Sequence, residues 1–307
     1  MGREVISSLY FAFCLLLVGC DADSAIEVDD AASELRQSSG ALLFYDGSIG
    51  LGATATLDGD GSYGYVSSFS GFSTDWTHVV AADNGSVLFY AAATGVGATA
   101  TLDSAGNYAY VGALEGFSTS WTHITAANAG SLLFYAAATG EGATATLDSA
   151  GNYAYVGALD GFSTGWTHIV GTTRGALLFY DAQTGLGATA TLDSAGNYAY
   201  VGEIEGFSTG WTHIITANRG SLLFYDATTG LGATATLDGD GTYGYVGSIP
   251  GFSTGWDQIV GTDQGGLLFY DADTGAGATA TLDIAGNYAY VRELSGFSQG
   301  WTHIVGT

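Results

Sequence analysis

The chain has 307 residues, among them 49 glycines, 19 tyrosines, 15 phenylalanines and 6 tryptophans, with one proline and no lysine. Its formal net charge is −25, and Arg3, Arg36, Arg174, Arg219 and Arg292 are its only arginines. Without a basic stripe to neutralise phosphates, nucleic acid is excluded as a partner, and direct adsorption to an anionic membrane is disfavoured.

The first element in chain order is an apolar run, Val5 to Gly19. It is too short to span a bilayer comfortably, which takes about 20 apolar residues, and it fits the core of a secretion signal. The run ends Leu17-Val18-Gly19-Cys20. This resembles the lipobox of bacterial lipoproteins, in which small residues admit the peptidase and the cysteine thiol receives diacylglycerol. The resemblance implies a lipoprotein signal peptide over residues 1–19, lipidation of Cys20, and export to the bacterial cell envelope. One departure is the weak front end, where Glu4 cancels Arg3. An ordinary signal peptide and an uncleaved anchor are the alternatives. Residues 20–39 carry six acids against Arg36 and show no sustained hydrophobic period, so they read as an acidic flexible tether. The membrane is then a partner through the lipid alone. Both cysteines, Cys14 and Cys20, precede residue 21, so the remainder holds no disulfide.

From residue 40 the sequence repeats. Trp76, Trp121, Trp166, Trp211, Trp256 and Trp301 follow one another at 45-residue steps, as do Tyr45, Tyr90, Tyr135, Tyr180, Tyr225 and Tyr270. In the copy starting at Ser131, four runs have strand character: Leu132–Tyr135, Ala143–Leu147, Tyr153–Val156 and Trp166–Val170. The first is apolar on both faces and needs cover on both sides. The second is small on both faces, and Tyr153 and Tyr155 put two large rings on one face of the third. Gly and Asn in the separators supply the positive φ of tight turns.

Four strands in about 45 residues are the dimensions of a propeller blade. The expected fold is all-β: residues 40–307 as one six-bladed β-propeller of four-stranded blades. If the Trp-Thr-His strand is innermost, Trp301 to Val305 joins the first three strands of the domain and closes the ring. Two tandem β-trefoils are the rival, disfavoured because the step from Trp166 to Trp211 shows no linker. The LLFY and GFSTGWTHIV segments and the blade length resemble lectin-type β-propellers with near-identical blades, of the tachylectin-2 kind. That resemblance implies several equivalent carbohydrate sites per ring, and no sugar-binding motif carries over residue by residue.

Several residue sets have both a functional and a structural reading. His78, His123, His168, His213 and His303 share one repeat position with Gln258. They read either as a ring of proton donors or ligands, or as hydrogen-bonding residues within each blade, and the Gln favours hydrogen bonding. Asp58-Gly59-Asp60-Gly61 and Asp238-Gly239-Asp240-Gly241 resemble pieces of calcium loops but lack the distant glutamate, so hairpin turns are expected and no metal. The tryptophans suit either stacking on sugar faces or packing between blades. Asn84, Asn128, Arg174, Arg219 and Gln264 lie in the turn where the copies differ most, and are the candidate ligand contacts, with neutral loop drift as the alternative. No triad, activated cysteine or phosphate loop is visible, and six near-copies offer no privileged position, so no enzyme and no cofactor is expected. The expected function is a lipid-anchored multivalent binding protein for carbohydrate, with a structural or envelope-protein interaction scaffold as the alternative.

Overall fold

The computed structural model describes residues 40–307. The expected signal peptide, the candidate lipidation site Cys20 and the expected acidic tether all lie outside the described residues. Within them, 24 strands form six antiparallel sheets of four. Each sheet is one blade, with its strands named here inner, second, third and outer. In the third blade these are His123–Ala126, Ser131–Ala136, Glu141–Leu147 and Tyr153–Leu159. The strands begin and end within a few residues of their sequence-predicted bounds. The tryptophan is the main exception: Trp166 stands two residues before its inner strand, His168–Gly171, in the loop that arrives from the previous blade.

The ring closes as the sequence suggests. The chain's last strand, His303–Gly306, is the inner strand of the first blade and pairs with Ala41–Asp46. Inner strands of successive blades neighbour one another around the whole ring, the sixth blade meeting the first. The fold is thus a six-bladed β-propeller, and the trefoil pair is ruled out.

Burial follows residue size. Leu132, Leu133, Phe134 and Tyr135 of a second strand are all at most 1% exposed. Alternation sends Leu132 and Phe134 to the core shared with the second blade. Leu133 and Tyr135 go to the core shared with the fourth. Ala143 and Ala145 of the third strand lie beside Phe134, and their small size leaves room for its ring. Hydrophobic burial is therefore divided into six cores, one per blade interface, rather than gathered into one.

The histidines tie the blades together near the axis. His78 Nε2 lies 3.1 Å from the Thr122 carbonyl of the next inner strand. His123, His168, His213 and His303 repeat this contact on Thr167, Thr212, Asp257 and Thr77. Gln258 Nε2 donates to the Thr302 carbonyl at 3.1 Å and completes the circle. The expected hydrogen bond inside each blade is instead one between blades. Inner strands converge at the axis, so a side chain of histidine length reaches the neighbour's backbone. A carbonyl only accepts, so each Nε2 carries a proton.

Candidate functional site: the clefts between blades

The loop leaving each outer strand crosses to the next blade and roofs a cleft between the two. The cleft between the second and third blades shows how. Phe117 of this loop packs its ring 5.9 Å from Phe134 and 5.1 Å from Tyr153, both in the third blade. The second blade fixes the loop from the other side. Phe117 N–H donates to the Gly95 carbonyl at 3.1 Å, and the buried Tyr90 hydroxyl donates to the Ser118 carbonyl at 2.6 Å. Gly95 has φ +68, and a Cβ there would stand 2.3 Å from the Phe117 carbonyl oxygen. A Cβ on Gly97 would meet the Phe117 ring at 2.7 Å. The two glycines of this Gly-Val-Gly turn are what let the loop seat.

Behind the loop, Trp121 packs its ring 5.7 Å from Phe134. Tyr155 is 60% exposed and stands beside the half-buried Tyr153. One extra residue follows Tyr155 in the outer strand. Pairing jumps from Thr144–Gly157 to Ala145–Tyr155, so Val156 is a bulge that turns the strand at the cleft edge. Leu114, Glu115, Gly116, Phe117, Ser118 and Trp121, from the outer strand's end and the loop, form the roof and one wall. Phe134, Ala143, Tyr153 and Tyr155 of the next blade supply the rest, around a cavity of about 260 Å³.

Four further interfaces carry the same cleft, at about 400, 200, 270 and 260 Å³. The largest lies between the first and second blades, where Phe69 stands in place of the usual Leu or Ile. At the interface of the third and fourth blades, Phe162, Phe179, Tyr198 and Trp166 repeat the same ring contacts. The polar equipment repeats too. Burial pushes the phenols of Tyr63, Tyr108, Tyr153, Tyr198, Tyr243 and Tyr288 up to about 12, with the outer tyrosine two residues on adding to the effect. They stay protonated, and among the described residues they have no hydrogen-bond partner. The tryptophan indole N–H groups have none either. Each cleft thus presents aromatic faces beside unspent donors.

The candidate residues chosen from sequence lie elsewhere. Asn84, Asn128, Arg174, Arg219 and Gln264 sit in the turns at the other end of the inner strands, and none lines a cleft. Asn84 Nδ2 donates to the Leu147 carbonyl of the next blade at 2.7 Å. Asn128 packs against Gly175 of the fourth blade. Arg174 pairs with Asp238 of the fifth blade at 3.8 Å. Gln264 lies against Gly59 of the first blade. Arg219 joins a group the sequence reading did not select. Asp263 is raised to about 6 by burial and by the Asp83 charge, offset by a Thr173 hydrogen bond and by Arg219. Asp83 is raised by burial although it accepts from the Ala129 and Gly130 amides at 3.0 Å.

The aspartates of the hairpin turns are engaged locally. Asp60 Oδ1 accepts from the Ser62 amide at 2.8 Å, and Asp103 accepts from the Asn107 amide and side chain at 2.9 and 2.8 Å. Among the described residues, no group of three His, Cys, Asp or Glu side chains is placed to hold a metal ion.

No protein-family model matches the chain, and no curated protein does. Solved structures share its architecture. A putative 6-phosphogluconolactonase from Bacteroides uniformis aligns over 88% of this chain and 100% of its own, at 12% identity and a TM-score of 0.57. A functionally unknown protein from Desulfotomaculum acetoxidans aligns over 85% and 81%, at 9% identity and a TM-score of 0.56. A putative 6-phosphogluconolactonase from Bacteroides fragilis aligns over 84% and 80%, at 10% identity and a TM-score of 0.51.

At these identities the likeness shows the fold, and it corrects one expectation. Proteins described as enzymes share this architecture, so the exclusion of catalysis from six near-copies does not stand. The physical reason lies in the turns. Repetition governs the strands, whereas one turn position holds Asp83, Asn128, Thr173, Asn218 and Asp263 in five blades. An asymmetric set of groups therefore does exist at one end of the ring.

Proposed function

We propose that this protein is a multivalent carbohydrate-binding propeller, exported and held at the bacterial cell envelope by a lipid on Cys20. One observation carries the reading: a cleft with a Trp, at least two Phe and two Tyr rings, and with unpartnered phenol and indole donors, recurs around the ring. Sugar rings have C–H faces that suit aromatic planes and hydroxyl edges that need hydrogen bonds. Clefts of 200–400 Å³ lie at or below the low end of the roughly 300–1,000 Å³ usual for small-molecule pockets. That size suits one pyranose ring better than a long oligosaccharide. Single sites of this kind are weak, and several on one wheel raise avidity toward a glycan-coated surface.

The test is a glycan array probed with the full chain, followed by calorimetric titration of any hit. The expected result is weak binding with several equivalents per chain. No signal across a broad array overturns the reading. A second reading, an envelope protein as partner, is favoured by the outer strands, where Tyr155 and Val156 and their counterparts in every blade are exposed. Stoichiometric capture of one envelope protein, unaffected by free sugar, would select it.

A further inference from the structure

The clefts differ at one rim position, directly before the Gly-Phe-Ser of the roofing loop. Around the ring that position reads Ser70, Glu115, Asp160, Glu205, Pro250 and Ser295. The three acids are consecutive, so three adjacent clefts carry a carboxylate and the other three carry none. Glu115 and Glu205 line their clefts, and Asp160 holds the same place at the interface between.

These carboxylates are unlike most others near the loops. Asp103, Asp181 and Asp226 are spent on amides and hydroxyls of their own turns. Glu115, Asp160 and Glu205 are exposed and make no hydrogen bond or ion pair among the described residues. Asp75 stands in the loop over the first cleft, but it is not among the lining residues and its charge acts on the Tyr45 phenol.

Resting on the carbohydrate reading above, we propose that the three acid-rimmed clefts select sugars bearing a free, protonated amine. The argument is charge complementarity at an aromatic wall. An ammonium group beside Trp121 and Tyr155 meets negative ring faces and a carboxylate together, whereas an N-acetyl group or a hydroxyl meets no charge. The chain's charge of −25 steers cations toward these clefts and repels uronic or sialic acids. The Ser70, Pro250 and Ser295 clefts keep the rings without the charge and take neutral sugars.

The experiment titrates the full chain calorimetrically with short chitosan oligomers and, separately, with their N-acetylated counterparts, at low and high salt. A triple variant, Glu115→Gln, Asp160→Asn, Glu205→Gln, is run alongside. The expected result is a class of three amine-selective sites, about tenfold tighter for the amine form at low salt. High salt and the triple variant each abolish that preference. Equal affinity for both oligomers, or a preference that survives in the triple variant, overturns the inference and leaves the carbohydrate reading standing. Failure of both oligomers to bind, in an array with no other hit, overturns both.

Discussion

The two ends of the inner strands follow different rules. At the incoming end, the Trp-Thr-His segment, the roofing loop and the histidine circle vary little from blade to blade. At the outgoing end the backbone itself diverges. Ala129 has φ 51 in the third blade, and Asn218 and Arg219 have φ 46 and 65 in the fifth, whereas the second, fourth and sixth blades reserve positive φ for the glycine. The contrast teaches that one wheel repeats its interblade aromatic packing on one side while breaking symmetry on the other.

The largest effect is expected from deleting residues 303–307. This removes the inner strand of the first blade, including the buried Ile304, and leaves the edge at Leu42–Tyr45 unpaired. It also cuts the His303 link to Thr77. The loss should exceed about 5 kcal/mol, comparable to the whole stability of many domains, so cooperative thermal unfolding by circular dichroism should disappear. Near-normal unfolding would mean that the six cores are stable without closure.

The next test acts on one cleft. Trp121→Ala removes a half-buried ring that packs on Phe134. The cost should be about 2 kcal/mol, less than for a fully buried tryptophan. Sugar stoichiometry should fall by one equivalent while the remaining sites keep their affinity. A loss of all sites would show that the clefts are coupled rather than independent.

Much of this organisation is legible in the sequence, and the limits are physical. The 45-residue step gives the blade, and the position of the last Trp-Thr-His segment gives the closure. The alternation of Tyr153 and Tyr155 puts both rings on one face, and both line one cleft. The cleft itself is not legible, because Phe117 meets Phe134 and Tyr153 only once two blades are stacked. Divergence among copies drew attention to Asn84 and Arg174, but variation marks whatever is unconstrained or asymmetric, and does not mark a ligand. The rim position shows the same limit: its serines, proline and three consecutive acids stand beside an invariant glycine and phenylalanine, and only the stacked blades place them at a cleft.

At the outgoing end, Asp263→Asn should stabilise the protein at neutral pH. Asp263 is raised from 3.8 to about 6. Between those values the folded state binds more protons than the unfolded one, so this group's contribution to stability falls as pH rises through the window and is flat above it. The asparagine variant lacks that fall. Above pH 6 it should gain about 1 kcal/mol by urea unfolding, discounted for partial solvent screening. If the two proteins have parallel pH profiles, neither the burial of Asp263 nor the Asp83 charge beside it is felt in the folded ring.

The incoming end should show the opposite slope, and natural variation points to the variant. His123, His168 and His303 are held below 6.5 by burial, with neighbouring histidines adding to the effect and the hydrogen bonds to carbonyls opposing it. Below 6.5 the unfolded chain takes up protons that the folded ring resists. Their contribution is therefore complete above 6.5 and is lost as pH falls beneath it. Gln258 makes the same link to the next blade without titrating. His123→Gln should preserve stability at pH 8 and flatten, by one histidine's share, the decline measured by urea unfolding between pH 6.5 and 5. An unchanged acid slope would mean that the circle tolerates charge. A large loss at pH 8 would mean that the imidazole's packing against Tyr135, at 5.6 Å, matters more than its hydrogen bond.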